Sequence, residues 1–407
     1  MSWFSSSTKV KCNNIYYNLP KKGDPPVIGV CLDGTGPNHL AGAKMPNFWS
    51  GCYREAHAFL PTVTNTNNVS IITGVAPSVH GVVANTILES KKKDGREMLV
   101  ETPLIKKSVL KCESLLSRAS QKGRPVLVVT AKKKLVNLLG NGVHPNSLIV
   151  AIEDLNDENS PSLKALKDKG LSGAIHEAGP PPHIYTPEAS IYCLRLASEI
   201  LDLGKYTGFR PSLVYISTTD YVQHLNSPKS TISQDYYEAI DRELGRLKIK
   251  GRVGVTADHG MNEKTNLLFL EDIVSQENLT CQVGIAIKDA HMIHHLGFGS
   301  YVTVHTQDET AVTNIINALP GVQRCEKNAQ GVLEVFGDKT TAFGSTYNFH
   351  YNPKTELPTR TIRTHGGEAE SLVPLAFLFE MDSDTHTQFL QTPRLYNKDL
   401  FFFLCKS

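Results

Sequence analysis

Short apolar, β-branched runs recur along the chain, and each gives way to polar residues at its carboxyl end. Val27 to Leu32 stops at Asp33, Val126 to Val129 at Thr130 shortly before Lys132, and Leu148 to Ile152 at Glu153 and Asp154. Leu213 to Ile216 leads into Ser217, Thr218, Thr219 and Asp220, and Val253 to Thr256 into Asp258 and His259. Runs of this length, bounded by turn residues, predict buried strands of a parallel sheet. Helical patterns lie between them. Thr186-Pro187-Glu188 is a helix start with Pro in the first turn, leading into Ile191, Leu194, Ile200 and Leu201, and Gln234 to Leu247 is a second amphipathic stretch. Strands alternating with helices predict a doubly wound α/β sheet, in which ligands collect outside the carboxyl ends of the strands.

The texture changes after about residue 270. Val283 to Ile287, Tyr301 to His305 and Val332 to Phe336 read as strands and Thr310 to Leu319 as a helix, a small α+β insert with few candidate ligands. An apolar strand returns at Val373 to Phe379. The expected organisation is a core of residues 1–270 and 361–407 carrying an insert of residues 271–360.

Composition narrows the function classes. The 407 residues are 40% hydrophobic and 20% charged with a net charge of +2, which fits a globular protein with a sizeable core and no field for a polyanion. A nucleic-acid partner is not expected, and the Lys91–Lys93 and Lys132–Lys134 runs are too short to change that. The eight cysteines contain no CxxC pair, so reduced and mostly buried thiols are expected. The Met-Ser-Trp-Phe-Ser-Ser-Ser start lacks the apolar region of a signal peptide. No stretch approaches the roughly 20 apolar residues of a membrane span. The expected location is cytoplasmic, without a membrane partner.

Five short segments carry candidate chemistry: Asp33-Gly34; Pro61-Thr62-Val63-Thr64-Asn65; Asp220-Tyr221-Val222-Gln223-His224; Asp258-His259-Gly260; and His365-Gly366-Gly367. Each has an ordinary structural explanation. Acids are common at strand ends, a Thr before a helix can be an N-cap, and an Asp–His pair four apart can be a surface hydrogen bond. Asp-His-Gly after an apolar strand is more specific, because Gly lets the backbone turn sharply where the ligands are presented. Together the segments supply three Asp, three His and one Thr. Two metals about 4 Å apart need roughly that many ligands while leaving positions open for substrate. Carboxylate and imidazole donors without thiolates suit zinc in a catalytic site, or manganese or iron.

In this order the segments resemble the alkaline phosphatase superfamily, which includes nucleotide pyrophosphatase/phosphodiesterases, cofactor-independent phosphoglycerate mutases and phosphonoacetate hydrolases. The resemblance spans Asp33 to His365. It implies an alkaline phosphatase-like α/β core with a mostly parallel sheet flanked by helices, and a small α+β cap. It also implies two divalent metals, zinc first among them. One would be held by Asp220, His224 and His365, the other by Asp33, Asp258 and His259 with the Thr64 oxygen also bound. Within the superfamily the chain is most similar to phosphonoacetate hydrolases, in its compact size, its insert before the last His, and Thr64 where the mutases use Ser. Thr130-Ala131-Lys132-Lys133-Lys134-Leu135 resembles that family's lysine-bearing segment, in which Lys132 and Lys134 would hold the substrate carboxylate. Lys133 stands where a different residue is expected. Asn85, in Val83-Ala84-Asn85-Thr86, matches an Asn that contacts the phosphonate oxygens.

The implied activity is hydrolysis of the carbon–phosphorus bond of phosphonoacetate to acetate and phosphate, with Thr64 as metal-activated nucleophile. The implied partner is a small phosphonate, and a homodimer stays open. Three rivals share the pattern: a phosphodiesterase or nucleotide pyrophosphatase, a phosphoglycerate mutase-like phosphotransferase, and a catalytically silent metal-binding protein. His291, His294 and His295 cluster in the insert with no acid to complete a site and read as surface residues. His39, His57 and His80 receive no chemistry, and Asn68, Ser70 and Glu153 read as structural.

Overall fold

The computed structural model describes residues 8–93, 96–288, 297–328, 331–350 and 362–406. Its centre is a seven-stranded sheet in the order Cys52–His57, Leu372–Phe377, Arg252–Thr256, Val27–Cys31, Leu213–Ser217, Val126–Thr130, Leu148–Ala151. Only Leu372–Phe377 runs against its neighbours. The inner parallel strands Val27–Cys31, Leu213–Ser217 and Val126–Thr130 are buried at every position, which is why they read as unbroken apolar runs.

Alternate residues of these strands feed two separate cores. Ile28, Val30, Leu127, Val129, Val214 and Ile216 pack beneath the long helices Pro187–Thr207 and Thr231–Lys248. Val27, Cys31, Val126, Val128, Leu213 and Tyr215 face the other way, onto the helix Thr64–Thr73 and the C-terminal helix Leu400–Leu404. The C-terminal helix lies so close that a Cβ at Gly29 would stand 2.6 Å from the Phe401 ring. Only glycine fits there.

Register decides where the chemistry goes. Thr256, Cys31, Ser217, Thr130 and Ala151 are successive partners across the sheet. Asp258, Asp33, Asp220 and Lys132 lie two or three residues beyond the row and therefore crowd one rim.

A four-stranded antiparallel sheet forms in the order Gln282–Ile285, Tyr301–His305, Leu333–Gly337, Val322–Lys327, with the helix Glu309–Asn317 and an apolar cluster of its own. Val322–Lys327 was not expected as a strand. Neither was the edge strand Cys52–His57, whose Arg54 and Glu55 break the apolar pattern because this edge is only half-buried. The hairpins Thr8–Cys12/Ile15–Leu19 and Thr86–Lys93/Arg96–Pro103 also escaped the sequence pattern. His291, His294 and His295 lie outside the described residues. All eight cysteines carry free thiols, and no helix among the described residues is long and apolar enough to cross a membrane.

Candidate metal centre

The rim gathers all seven candidate ligands, each at least 95% buried. One ligand atom from each of Asp33, Asp258 and His259 lies within 4.8 Å of the others, and the same holds for Asp220, His259 and His365. His224, expected with Asp220 and His365, has its Nε2 3.1 Å from Asp220 Oδ2. The His259 and His365 rings stack at 3.6 Å, so His259 stands between the two sets.

Backbone contacts fix the imidazoles. Nδ1 of His224 lies 2.8 Å from the Arg363 carbonyl, Nδ1 of His365 lies 2.7 Å from the Thr62 carbonyl, and Nδ1 of His259 lies 3.0 Å from the Gly260 carbonyl. A carbonyl can only accept, so each Nδ1 carries a proton and each ring turns its Nε2 edge, where a metal-binding lone pair can sit, inward. Those lone pairs face carboxylates: His259 Nε2 is 3.5 Å from Asp33 Oδ1 and 3.7 Å from Asp258 Oδ2, and His365 Nε2 is 3.8 Å from Asp220 Oδ2. Acceptors converging on acceptors, with Asp33 Oδ1 lacking any hydrogen-bond donor among the described residues, suit cations between them. The donor set therefore fits two divalent metals.

Electrostatics agree. Burial, then Asp220 and Asp258, pushes the Asp33 carboxyl well above its ordinary pKa. Burial lifts Asp258 to about 6 against the pull of Lys132. Burial lowers the pKa of His259, and burial together with its neighbours His259 and His224 lowers that of His365, which keeps both rings neutral as ligands must be.

Thr64 opens the helix Thr64–Thr73, whose N-cap is Val63, so its hydroxyl is not spent on capping. Its Oγ1 lies 3.4 Å from His259 Nε2. The next backbone N–H, that of Asn65, donates to Asn85 Oδ1 at 2.9 Å, and the Asn85 Nδ2 donates to the Ile287 carbonyl at 3.3 Å. Asn85 thus joins the start of the Thr64 helix to the turn that follows the strand Gln282–Ile285.

The three lysines diverge. Lys132 is buried, its Nζ 2.6 Å from Asp33 Oδ2 and 2.9 Å from Asp220 Oδ1. Burial pulls its pKa down, but Asp220 and Asp33 outweigh that and hold it well above the ordinary lysine value. Lys133 points outward to Asp154 at 2.7 Å, and Lys134 is half-buried. Residues left without chemistry by the sequence also reach this region. Asn68 contacts Asp258, and Glu370 accepts from the Gly367 N–H and the buried Lys264 ammonium. The sequence shows only half of the signal for Asn68, a segment rich in Asn and Thr; the other half, that the helix Thr64–Thr73 is buried at every position, comes from the structure. A polar helix with no exposed face must spend its side chains on partners inside the protein.

A family model described as Type I phosphodiesterase / nucleotide pyrophosphatase matches residues 27–361. Among solved structures, phosphonoacetate hydrolase from Sinorhizobium meliloti 1021 in complex with phosphonoformate is 26% identical, with 99% of each chain covered and a TM-score of 0.82. The same enzyme in complex with phosphonoacetate gives a TM-score of 0.80. Human ectonucleotide pyrophosphatase / phosphodiesterase 5, at 13% identity, 94% coverage of each chain and a TM-score of 0.58, shares the fold.

Proposed function

The chain belongs to the type I phosphodiesterase / nucleotide pyrophosphatase family, and from that premise we propose that it hydrolyses the carbon–phosphorus bond of phosphonoacetate, using two zinc ions. The observation that carries this reading is Lys132, an ammonium buried against Asp33 and Asp220 at the centre of the site. A substrate with a phosphonate and a second, carboxylate charge has use for such a cation, whereas a diester wants a neutral pocket beside its phosphorus. The likeness to phosphonoacetate hydrolase over the whole chain supports the same choice.

When bound, the metals lower the pKa of the Thr64 hydroxyl and offset phosphoryl charge. The residues do the rest. Asp33, Asp258 and His259 would hold one ion, and Asp220, His224 and His365 the other, each imidazole oriented by its backbone carbonyl. Thr64 loses its hydroxyl proton to solvent as its Oγ1 bonds to phosphorus, and the carbon–phosphorus bond breaks with its electron pair passing to carbon. That pair delocalises into the adjacent carboxylate as an enolate. Lys132 and Lys134 stabilise this developing charge, and protonation at carbon releases acetate. Water then frees phosphate from Thr64.

The family match favours a second reading, a phosphodiesterase with the same centre. Phosphate release from phosphonoacetate, compared with hydrolysis of bis(p-nitrophenyl) phosphate, separates the two. Faster turnover of the diester would sink the phosphonate reading.

The lysines give a finer test. Lys134→Ala should slow phosphonoacetate hydrolysis roughly ten- to hundred-fold more than hydrolysis of an aryl phosphate, the value of a charge-assisted contact of about 1.5–3 kcal/mol. Lys132→Ala should impair both substrates, because Lys132 also touches Asp33 and Asp220, with the phosphonate suffering more. Lys133→Ala, which removes an outward contact to the buried Asp154 away from the metal centre, should leave both rates within about twofold. Equal losses on the two substrates at Lys134 would remove it from the carboxylate.

A further inference from the structure

Asn68 occupies the second turn of the Thr64 helix and is fully buried. Its Nδ2 donates to Asp258 Oδ2 at 3.1 Å and to the Thr64 carbonyl at 3.1 Å. Its Oδ1 accepts from the Tyr215 hydroxyl at 2.8 Å. Tyr215 sits inside the central strand Leu213–Ser217 and is itself fully buried. The phenol fixes which way the amide faces: with the oxygen bound to Tyr215, both hydrogens must point to Asp258 and Thr64.

Asp258 is held at its other oxygen too. Oδ1 accepts from the Gly34 N–H at 3.1 Å and from the His259 N–H at 3.0 Å. Gly34 follows Asp33, so the Oδ1 contacts tie together Asp33, Asp258 and His259, while the Oδ2 contact ties Asp258 to the helix that begins at Thr64. One amide thus joins a ligand to the element presenting the nucleophile. A helix that only packed would place an aliphatic side chain here, since burying three polar groups in mutual contact adds little net stability over an apolar replacement.

We infer that Asn68 is a positioning residue for the Asp33–Asp258–His259 metal, orienting the Asp258 carboxylate and setting its distance from Thr64, with Tyr215 fixing the direction of the amide. This rests on the two-metal reading above. Loss of such an outer partner costs about 10- to 100-fold in metal affinity.

The test is a zinc titration of the full chain against a competing chelator, with thermal melting of the metal-free protein alongside. Wild type should bind two zinc ions. Asn68→Leu should weaken one of the two steps roughly 10- to 100-fold and leave the other unchanged. The weakened step should be the one that persists in a His365→Ala background. Tyr215→Phe, a milder change that keeps Asn68, should weaken the same step several-fold as the amide gains freedom to turn over. The double variant Asn68→Leu/Tyr215→Phe removes the orphaned phenol, so it should recover melting temperature without recovering affinity. Recovery of both, or equal weakening of both steps, would show that Asn68 only packs, and unchanged affinity in Tyr215→Phe would remove the amide-direction argument. Wild type binding fewer than two zinc ions would overturn the two-metal reading and this proposal with it.

Discussion

Thr64→Ala should lower phosphonoacetate turnover by several orders of magnitude, since loss of the attacking atom in a covalent hydrolase costs about 10⁶-fold. The fold should survive. Thr64 is the first helical residue and Val63 the N-cap, so the hydroxyl makes no capping hydrogen bond, and alanine is a better helix former. The six proposed Asp and His ligands are untouched, so metal content should match that of the wild type. Thr64→Ser keeps the oxygen and loses a methyl group that restricts the rotamer, so it should fall between alanine and wild type. Steady-state rates, circular dichroism and metal analysis on the same preparations check all three statements. Equal turnover by Thr64→Ala and wild type would take the nucleophile away from Thr64.

The sheet was legible because its inner strands are buried on both faces, which leaves an unbroken apolar run for each. The rim residues were legible because register in a parallel sheet brings strand ends into one row, so Asp33, Asp220 and Asp258 had to be neighbours. Cys52–His57 was not, since an edge strand keeps charged residues such as Arg54 and Glu55. Lys132 and Lys133 point apart, but not by strand alternation, because the strand ends at Thr130 and Lys133–Leu135 forms a 3₁₀ turn; that Lys132 touches both Asp33 and Asp220 depends on the pairing of Thr130 with Ser217 and of Cys31 with Ser217. No local pattern carries that. Asn68 was passed over because periodicity looks for apolar stripes, and its helix buries polar side chains all round.

Lys264 and Glu370 show the same limit from another side. Both side chains are fully buried, and their contact joins the Gly367 turn after His365 to Lys339, whose carbonyl accepts from Lys264 at 3.0 Å. In the sequence they are two ordinary charges 106 residues apart. A buried pair of this kind stabilises little on its own account and acts by holding the segments it bridges in one arrangement.

Stripping the metals should abolish turnover altogether and make the protein easier to melt, and zinc should restore both. The catalytic loss follows from the geometry: without cations, the lone pairs of His259 and His365 face the oxygens of Asp33, Asp258 and Asp220, and nothing lowers the pKa of the Thr64 hydroxyl. The stability loss follows from linkage. Burial already pushes Asp33 well up and Asp258 up to about 6 even with the Lys132 ammonium beside them, so the crowded carboxylates are costly to keep charged without further cations. Metal at about a hundred times its dissociation constant stabilises by about 2.7 kcal/mol per site, or about 5 kcal/mol for two independent sites. For a chain of 407 residues that corresponds to a rise in melting temperature of about 6 °C. Chelator-treated protein, measured for phosphate release and by thermal melting before and after zinc is returned, supplies both numbers. Activity that persists in metal-free protein would remove the premise of the whole site, whereas lost activity with an unchanged melting curve would mean that the ions bind too weakly to be resident.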